Sequence, residues 1–181
     1  DTVIGLQEES DCFLTLLWRK SKFMLTFKLE SQTTDEVSRI FNILQELIPH
    51  EEYKRLFQVI LTDNGHEFFD VNNIECIQST GEYVTHLFFC DPHMSCQKGM
   101  IEKNHEFIRY ILPKGSSLKN ITQEDCDLFM NNINSLCRDS LNGKWPYEAM
   151  LFLCDEYILK KLNCYFIEPD EVVLNDSLLK H

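Results

Sequence analysis

The residue whose setting most favours chemistry is Asp63, in Leu61-Thr62-Asp63-Asn64-Gly65-His66-Glu67-Phe68. An apolar run from Phe57 to Leu61 stops on this carboxylate, and Asn64-Gly65 then turns the chain. A carboxylate exposed at the end of a buried strand is within reach of a divalent cation. The alternative is an Asn-Gly hairpin with a solvated Asp beside it. A second carboxylate, Glu102, lies in the segment Gln97 to Tyr110, which runs on into Ile111-Leu112-Pro113-Lys114-Gly115. Ile101, Ile108, Ile111 and Leu112 recur at helical spacing as a buried stripe, while Glu102, His105, Glu106 and Arg109 share another face. Alone, that face is an ordinary solvated one with charge pairs. Beside the Asp63 strand end it reads as half of a metal site. A third carboxylate, Asp1, opens Asp1-Thr2-Val3-Ile4-Gly5, which reads as the first strand of a sheet.

These groups need elements to hold them. Phe13 to Trp18 and Phe23 to Leu29 read as strands around the basic turn Arg19-Lys20-Ser21-Lys22. A capping box, Thr33-x-x-Glu36, opens a helix with Val37, Ile40, Phe41, Leu44, Leu47 and Ile48 inward, ended near Pro49. Asp70 to Ser79 reads as a short helix and Tyr83 to Phe89 as a strand. Thr122-x-x-Asp125 opens a helix to about Ser140, and Pro146 opens a last one to about Leu162. In the tail, Val172-Val173-Leu174 is an apolar patch suited to an edge strand or a partner subunit. Phe69, Phe88 and Phe89 are assigned to the core. The order predicts an α/β sandwich: a mixed five-stranded sheet, three antiparallel strands plus two parallel ones, with helices on both faces.

These segments carry a resemblance. Asp1 to Gly5, Leu14-Thr15-Leu16 with Arg19 to Phe23, Thr62 to Phe68, Cys90-Asp91-Pro92-His93, Gly99 to His105, Leu112 to Gly115 and Asn142 to Ala149 together resemble the catalytic core of a bacterial insertion-sequence transposase, of the group written IS followed by thirty. More distantly they resemble a retroviral integrase core. The resemblance covers nearly the whole chain and implies a ribonuclease H-like domain over residues 1–162, with 163–181 as a tail. Members of the group carry helix-turn-helix DNA-binding regions ahead of the core, and no such region is read here.

The resemblance implies a metal-dependent DNA strand-transferase. Asp1, Asp63 and Glu102 would be its catalytic residues and would hold two Mg²⁺ ions, with Mn²⁺ as a substitute. Two such ions about 3.5–4 Å apart clamp the attacking and leaving oxygens of an in-line displacement, and Mg²⁺ takes only a few carboxylates, leaving positions for water and phosphate. Lys98, Lys103, His105, Arg109 and Lys114 would contact DNA, Arg109 as a bidentate fork on a phosphate. For Arg109, a surface pairing with Glu106 or another acid is the alternative. The expected partners are element ends, target DNA and further copies of the chain, since two ends must be brought together. At Lys103 and His105 the chain departs from the group's pattern, where Asn is more familiar. Two alternatives stay open: a nuclease of the same superfamily that never joins, and an inactive remnant that dimerises or tethers DNA.

The formal charge of −12 opposes a DNA reading, because non-specific affinity comes largely from Lys and Arg releasing counterions. Locally the balance reverses: Lys98, Lys103, Arg109, Lys114 and Lys119 outnumber Glu102 and Glu106, while Glu8, Glu9, Glu51, Glu52 and the tail hold much of the acid. The eight cysteines include no CxxC pair and sit mostly in apolar runs, as reduced core residues do. Cys90-x-x-His93-x-x-Cys96 offers three soft ligands, but structural zinc takes four. The alternative is a loop that brings His93 close to the active site. No run approaches a membrane span and no basic-then-apolar leader opens the sequence, so a cytoplasmic protein, nucleoid-associated when bound to DNA, is expected.

Overall fold

Strand β2 (Cys12–Leu17) alternates its side chains between two cores. Cys12 and Leu14 enter one with Leu25, Val37, Phe41 and Leu44, while Phe13 enters the other with Val3, Met24, Ile108 and Phe129. A strand covered on both faces reads as a continuous apolar run rather than an alternating one. The computed structural model describes residues 1–91 and 97–179, so the proposed zinc ligands His93 and Cys96 lie outside the described residues.

β1 (Thr2–Ile4) and β3 (Met24–Leu29) flank β2 antiparallel, with Thr2 opposite Leu14 and Leu14 opposite Phe27. β4 (Val59–Thr62) and β5 (His86–Phe89) pair parallel, Val59 opposite His86. α1 (Thr34–Leu47) covers one face of the first sheet, and α4 (Gly99–Ile111) with α5 (Gln123–Asn134) covers the other. Between α1 and β4 lies α2 (His50–Leu56), which the sequence reading did not separate. Pro49 ends α1 and also sits at the N-cap of α2. Buried Tyr53 of α2 stacks on Phe57 at 4.6 Å between ring centroids. α3 (Val71–Glu75) sits between β4 and β5, and α6 (Pro146–Leu151) and α7 (Glu156–Lys161) close the chain's second half.

Several expectations are corrected. The five strands form not one sheet but a three-stranded and a two-stranded one. β1 pairs β2 only through short strands, and Leu16 and Leu17 of β2 with the following Trp18 line the same cavity of about 430 Å³ as Val59, Ile60 and Leu61 of β4. Among the described residues no ladder joins the two sheets, which are linked by side chains. The helix from Gln123 ends at Asn134 rather than near Ser140. There the Asn134 amide takes the N–H of Met24 at 3.0 Å and donates to its carbonyl at 2.8 Å. Asn131, Asn132 and Ser135 likewise accept the backbone N–H groups of Tyr165, Val173 and Ile167. Buried polar side chains thus bind the tail, so Val172 to Leu174 pairs with no strand, and Leu174 packs on the second core. The last helix breaks between Leu151 and Glu156. Phe69 and Phe88 are exposed, with only Phe89 packing on the core.

Two local features give measurable consequences. α5 opens on a capping box in which the Thr122 hydroxyl accepts the Asp125 N–H and the Asp125 carboxylate accepts the Thr122 N–H. Thr122→Ala therefore costs about 1 kcal/mol of stability, read as a lowered urea midpoint. Lys28 Nζ donates to Asp11 Oδ1 and to the Leu118 carbonyl, both at 2.6 Å, tying β3 to the loop before α5. The Lys28 hydrogen bond holds the Asp11 carboxyl below its ordinary value, outweighing desolvation. A depressed carboxyl pKa contributes stability that is full above the unfolded value, near 3.8, and lost as pH falls through the lower folded value. In Lys28→Met this acid-limb contribution disappears, so the slope of stability against pH below pH 4 becomes shallower.

Candidate active site

Asp1 and Asp63 come from different sheets and meet. Asp1 directly precedes β1 and is held by the ladder: its nitrogen donates to the Thr15 carbonyl at 3.1 Å, and the Thr15 N–H returns a bond of 2.7 Å. Asp63 directly follows β4, where Cys90 N–H bonds the Thr62 carbonyl at 2.7 Å and the Asn64 amide bonds the Cys90 carbonyl at 3.2 Å. The Lys98 ammonium joins the two carboxylates, 2.8 Å from Asp1 Oδ1 and 2.6 Å from Asp63 Oδ2. Only 13% of the Lys98 side chain is exposed, so the group is largely withdrawn from solvent. Desolvation raises the Asp63 carboxyl, but the hydrogen bond and charge of Lys98 prevail and leave it below its ordinary value.

Asp63 Oδ1 is buried and has no hydrogen-bond partner among the described residues, although a buried acceptor normally finds one. Two carboxylates already converging on one cation, one with a spare buried oxygen, match the hard oxygen donors that Mg²⁺ or Mn²⁺ takes. The structure does not bring Glu102 to them. Its side chain is exposed on the first turn of α4, and among the described residues no three His, Cys, Asp or Glu side chains could hold one ion together.

α4 lies across β1 with the face that carries His105 and Arg109. His105 Nε2 is 2.9 Å from the Thr15 hydroxyl, and Nδ1 is 4.0 Å from Asp1 Oδ2. Thr15 gives its single hydroxyl proton to the Asp1 carbonyl at 3.0 Å, which assigns the imidazole proton to Nε2. Burial, followed by the charges of Lys98 and Arg109, pushes the imidazole down to about 4, so it is neutral at physiological pH. Arg109 donates to the Ile4 carbonyl at 3.1 Å and is not the partner of Glu106, which pairs with Lys103 at 2.6 Å. Lys103 and Lys114 are exposed. α4 is fixed from behind by the Arg138 guanidinium, 3.8 Å from the Phe107 ring centroid.

Two neighbours of the site escaped the sequence reading as site-builders. Glu67, buried, accepts from the Thr2 hydroxyl at 2.7 Å and from the Gln32 amide at 2.8 Å, tying the turn after β4 to β1. A Cβ at Gly65 would come within 2.5 Å of the Glu67 carboxylate, and Gly65 has a φ of −63°. A side chain there would displace the Glu67 carboxylate from its bonds to Thr2 and Gln32, so the glycine serves close approach rather than a left-handed turn. Thr15 was read only as a strand residue, since hydroxyls within apolar runs give no periodic signal.

Comparison with known proteins shows what the chain is similar to. The chain is 31% identical over 153 residues to "Putative integrase ORF3" of Spiroplasma virus SpV1-R8A2 B, covering 84% of this chain and 44% of that protein. It is 30% identical over 136 residues to the transposase for insertion sequence element IS1086 of Cupriavidus metallidurans, covering 75% and 37%. To transposase InsI for insertion sequence element IS30A of Escherichia coli K12 it is 31% identical over 136 residues, covering 75% and 33%. No family model matches the chain. The chain is an insertion-sequence transposase/integrase-like core. More particularly, the resemblance to the IS30 group holds, and the chain spans less than half the length of these curated relatives.

Proposed function

We propose that this core cuts and joins DNA by metal-dependent, in-line phosphoryl transfer, as a DDE transposase. What supports the reading most is a single observation: carboxylates from the ends of β1 and β4, remote in sequence, hold one positive charge between them. In this reading Asp1 and Asp63 are metal ligands, and Glu102, one helical turn before His105 on α4, is the third. A bound Mg²⁺ would stabilise charge on the attacking and leaving oxygens. Thr15 and neutral His105 orient Asp1 without competing for its charge. Exposed Lys103 and Lys114, together with Arg109, lie along the stretch that would meet DNA phosphates. In this reading the three-stranded sheet β1-β2-β3 and the two-stranded sheet β4-β5 each bring one strand end, carrying Asp1 and Asp63, to the site of a ribonuclease H-like core.

The exposure of Glu102 favours a second reading, an inactive remnant that tethers DNA. One assay separates these. Duplex oligonucleotides with pre-cut 3′-hydroxyl ends are incubated with supercoiled plasmid, the chain and Mn²⁺. Oligonucleotide joined to plasmid is the expected product. Nicked plasmid without joining would assign a nuclease instead, and DNA bound but chemically unchanged would assign the tether.

A further inference from the structure

We propose that Lys98 is a tethered competitor of the metal: its ammonium holds the cation position between Asp1 and Asp63 and must swing out when a divalent ion enters. The inference rests on the reading of those two carboxylates as metal ligands. Lys98 precedes the first turn of α4 and makes no side-chain cap, so its side chain is free to be spent elsewhere. Among the described residues it is spent on the two acids, at 2.8 and 2.6 Å. An ammonium and a hard divalent ion seek the same oxygens, and an ion that displaces Lys98 breaks two close charge pairs, one buried with Asp1 and one half-exposed with Asp63. Affinity for the ion is therefore lowered by the fraction of molecules in which the lysine is out. Asp63 Oδ1, buried and without a hydrogen-bond partner among the described residues, marks the coordination that the ammonium leaves unused: Lys98 bonds Oδ2. In a chain carrying a net charge of −12, such a lysine also offsets half the charge of two clustered acids until the ion arrives.

The test is Mn²⁺ titration followed by loss of the free-ion paramagnetic resonance signal, on the wild-type chain, Lys98→Gln and Asp63→Asn. The Asp63→Asn curve subtracts ions held by the acidic surface. In parallel, trace acetylation of wild type with acetic anhydride, read by mass spectrometry, follows the accessibility of Lys98. The expected result is an Asp63-dependent site that Lys98→Gln tightens roughly tenfold or more, with Lys98 acetylation in wild type rising along the same Mn²⁺ curve. Asp63-dependent binding with unchanged Lys98 acetylation overturns the displacement and leaves the metal site standing. So does equal affinity in a folded Lys98→Gln chain. Absence of any Asp63-dependent binding overturns the site reading and this inference together. The acetylation readout uses unaltered protein, so it decides the question even where Lys98→Gln fails to fold.

Discussion

Asp63→Asn lowers Mg²⁺-dependent joining of pre-cut DNA ends by roughly three orders of magnitude or more, on the order of 4 kcal/mol in the barrier. The substitution keeps the shape of the side chain and removes the charge that would hold an ion. It also puts an amide nitrogen, which cannot ligate a hard cation, at one of the two carboxylate oxygens. The fold does not depend on it: the Asp63 side chain is 46% exposed, and among the described residues its one ion pair is with Lys98. The melting temperature should therefore move by no more than a few degrees while joining is lost. Asp1→Asn and the double variant should each fall about as far as Asp63→Asn, because ligands of one ion act as a unit rather than additively. Joining at close to the wild-type rate in Asp63→Asn would remove the basis of the proposed chemistry. Glu102→Gln is the informative companion. Equal loss there would mean that α4 brings its first turn inward when ions and DNA bind, a movement the exposed position of Glu102 requires.

Phe13→Ala removes about 4 kcal/mol of stability. Phe13 is fully buried on β2, and its ring lies 5.7 Å from that of Phe129 on α5, so truncation opens a cavity where the sheet meets its helices. Domains of this size are commonly stable by only 5–15 kcal/mol, so the loss is a large part of the total. Urea unfolding should show a lower midpoint with little change in slope. A loss below about 1 kcal/mol would mean that the space between β2 and α5 closes by collapse. The consequence reaches the site, because the same strand carries Thr15, which ladders with Asp1 and bonds His105.

Much of the candidate site could be read along the chain because strand ends announce themselves. An apolar run halted by Asp63, a helical stripe that leaves Glu102 on another face, and Asp1 ahead of Thr2-Val3-Ile4 are local patterns, and local patterns follow from side-chain periodicity. The capping box at Thr122 was equally legible, as was the N-cap at Thr33, since each is a bond between residues three apart. At Thr33 the hydroxyl accepts the Glu36 N–H, but the Glu36 carboxylate turns to the Glu30 N–H and Arg39. The break between Leu151 and Glu156 was not. A run of good helix formers carries no mark of where buried Met150 and Cys154 must turn to meet the core. Nor was the early end of α5, which depends on Asn134 finding Met24, 110 residues away. Phe69 and Phe88 were misplaced for a related reason: an aromatic at a strand end is buried only when something packs over it.

The amino-acid sequence by itself determined the kind of elements, their order, and which acids stand at their ends. It also carried enough similarity to identify a transposase/integrase-like core. Only the tertiary structure decided which of those acids meet. Asp1 and Asp63 are brought to one ammonium while Glu102 is left in solvent, and Lys98, read from the chain as a DNA contact, is placed inside the site. The physical reason is range. Periodicity and capping act over a few residues, whereas the charge that two carboxylates share depends on how separate sheets and a helix pack. That arrangement is set by buried contacts between residues far apart along the chain.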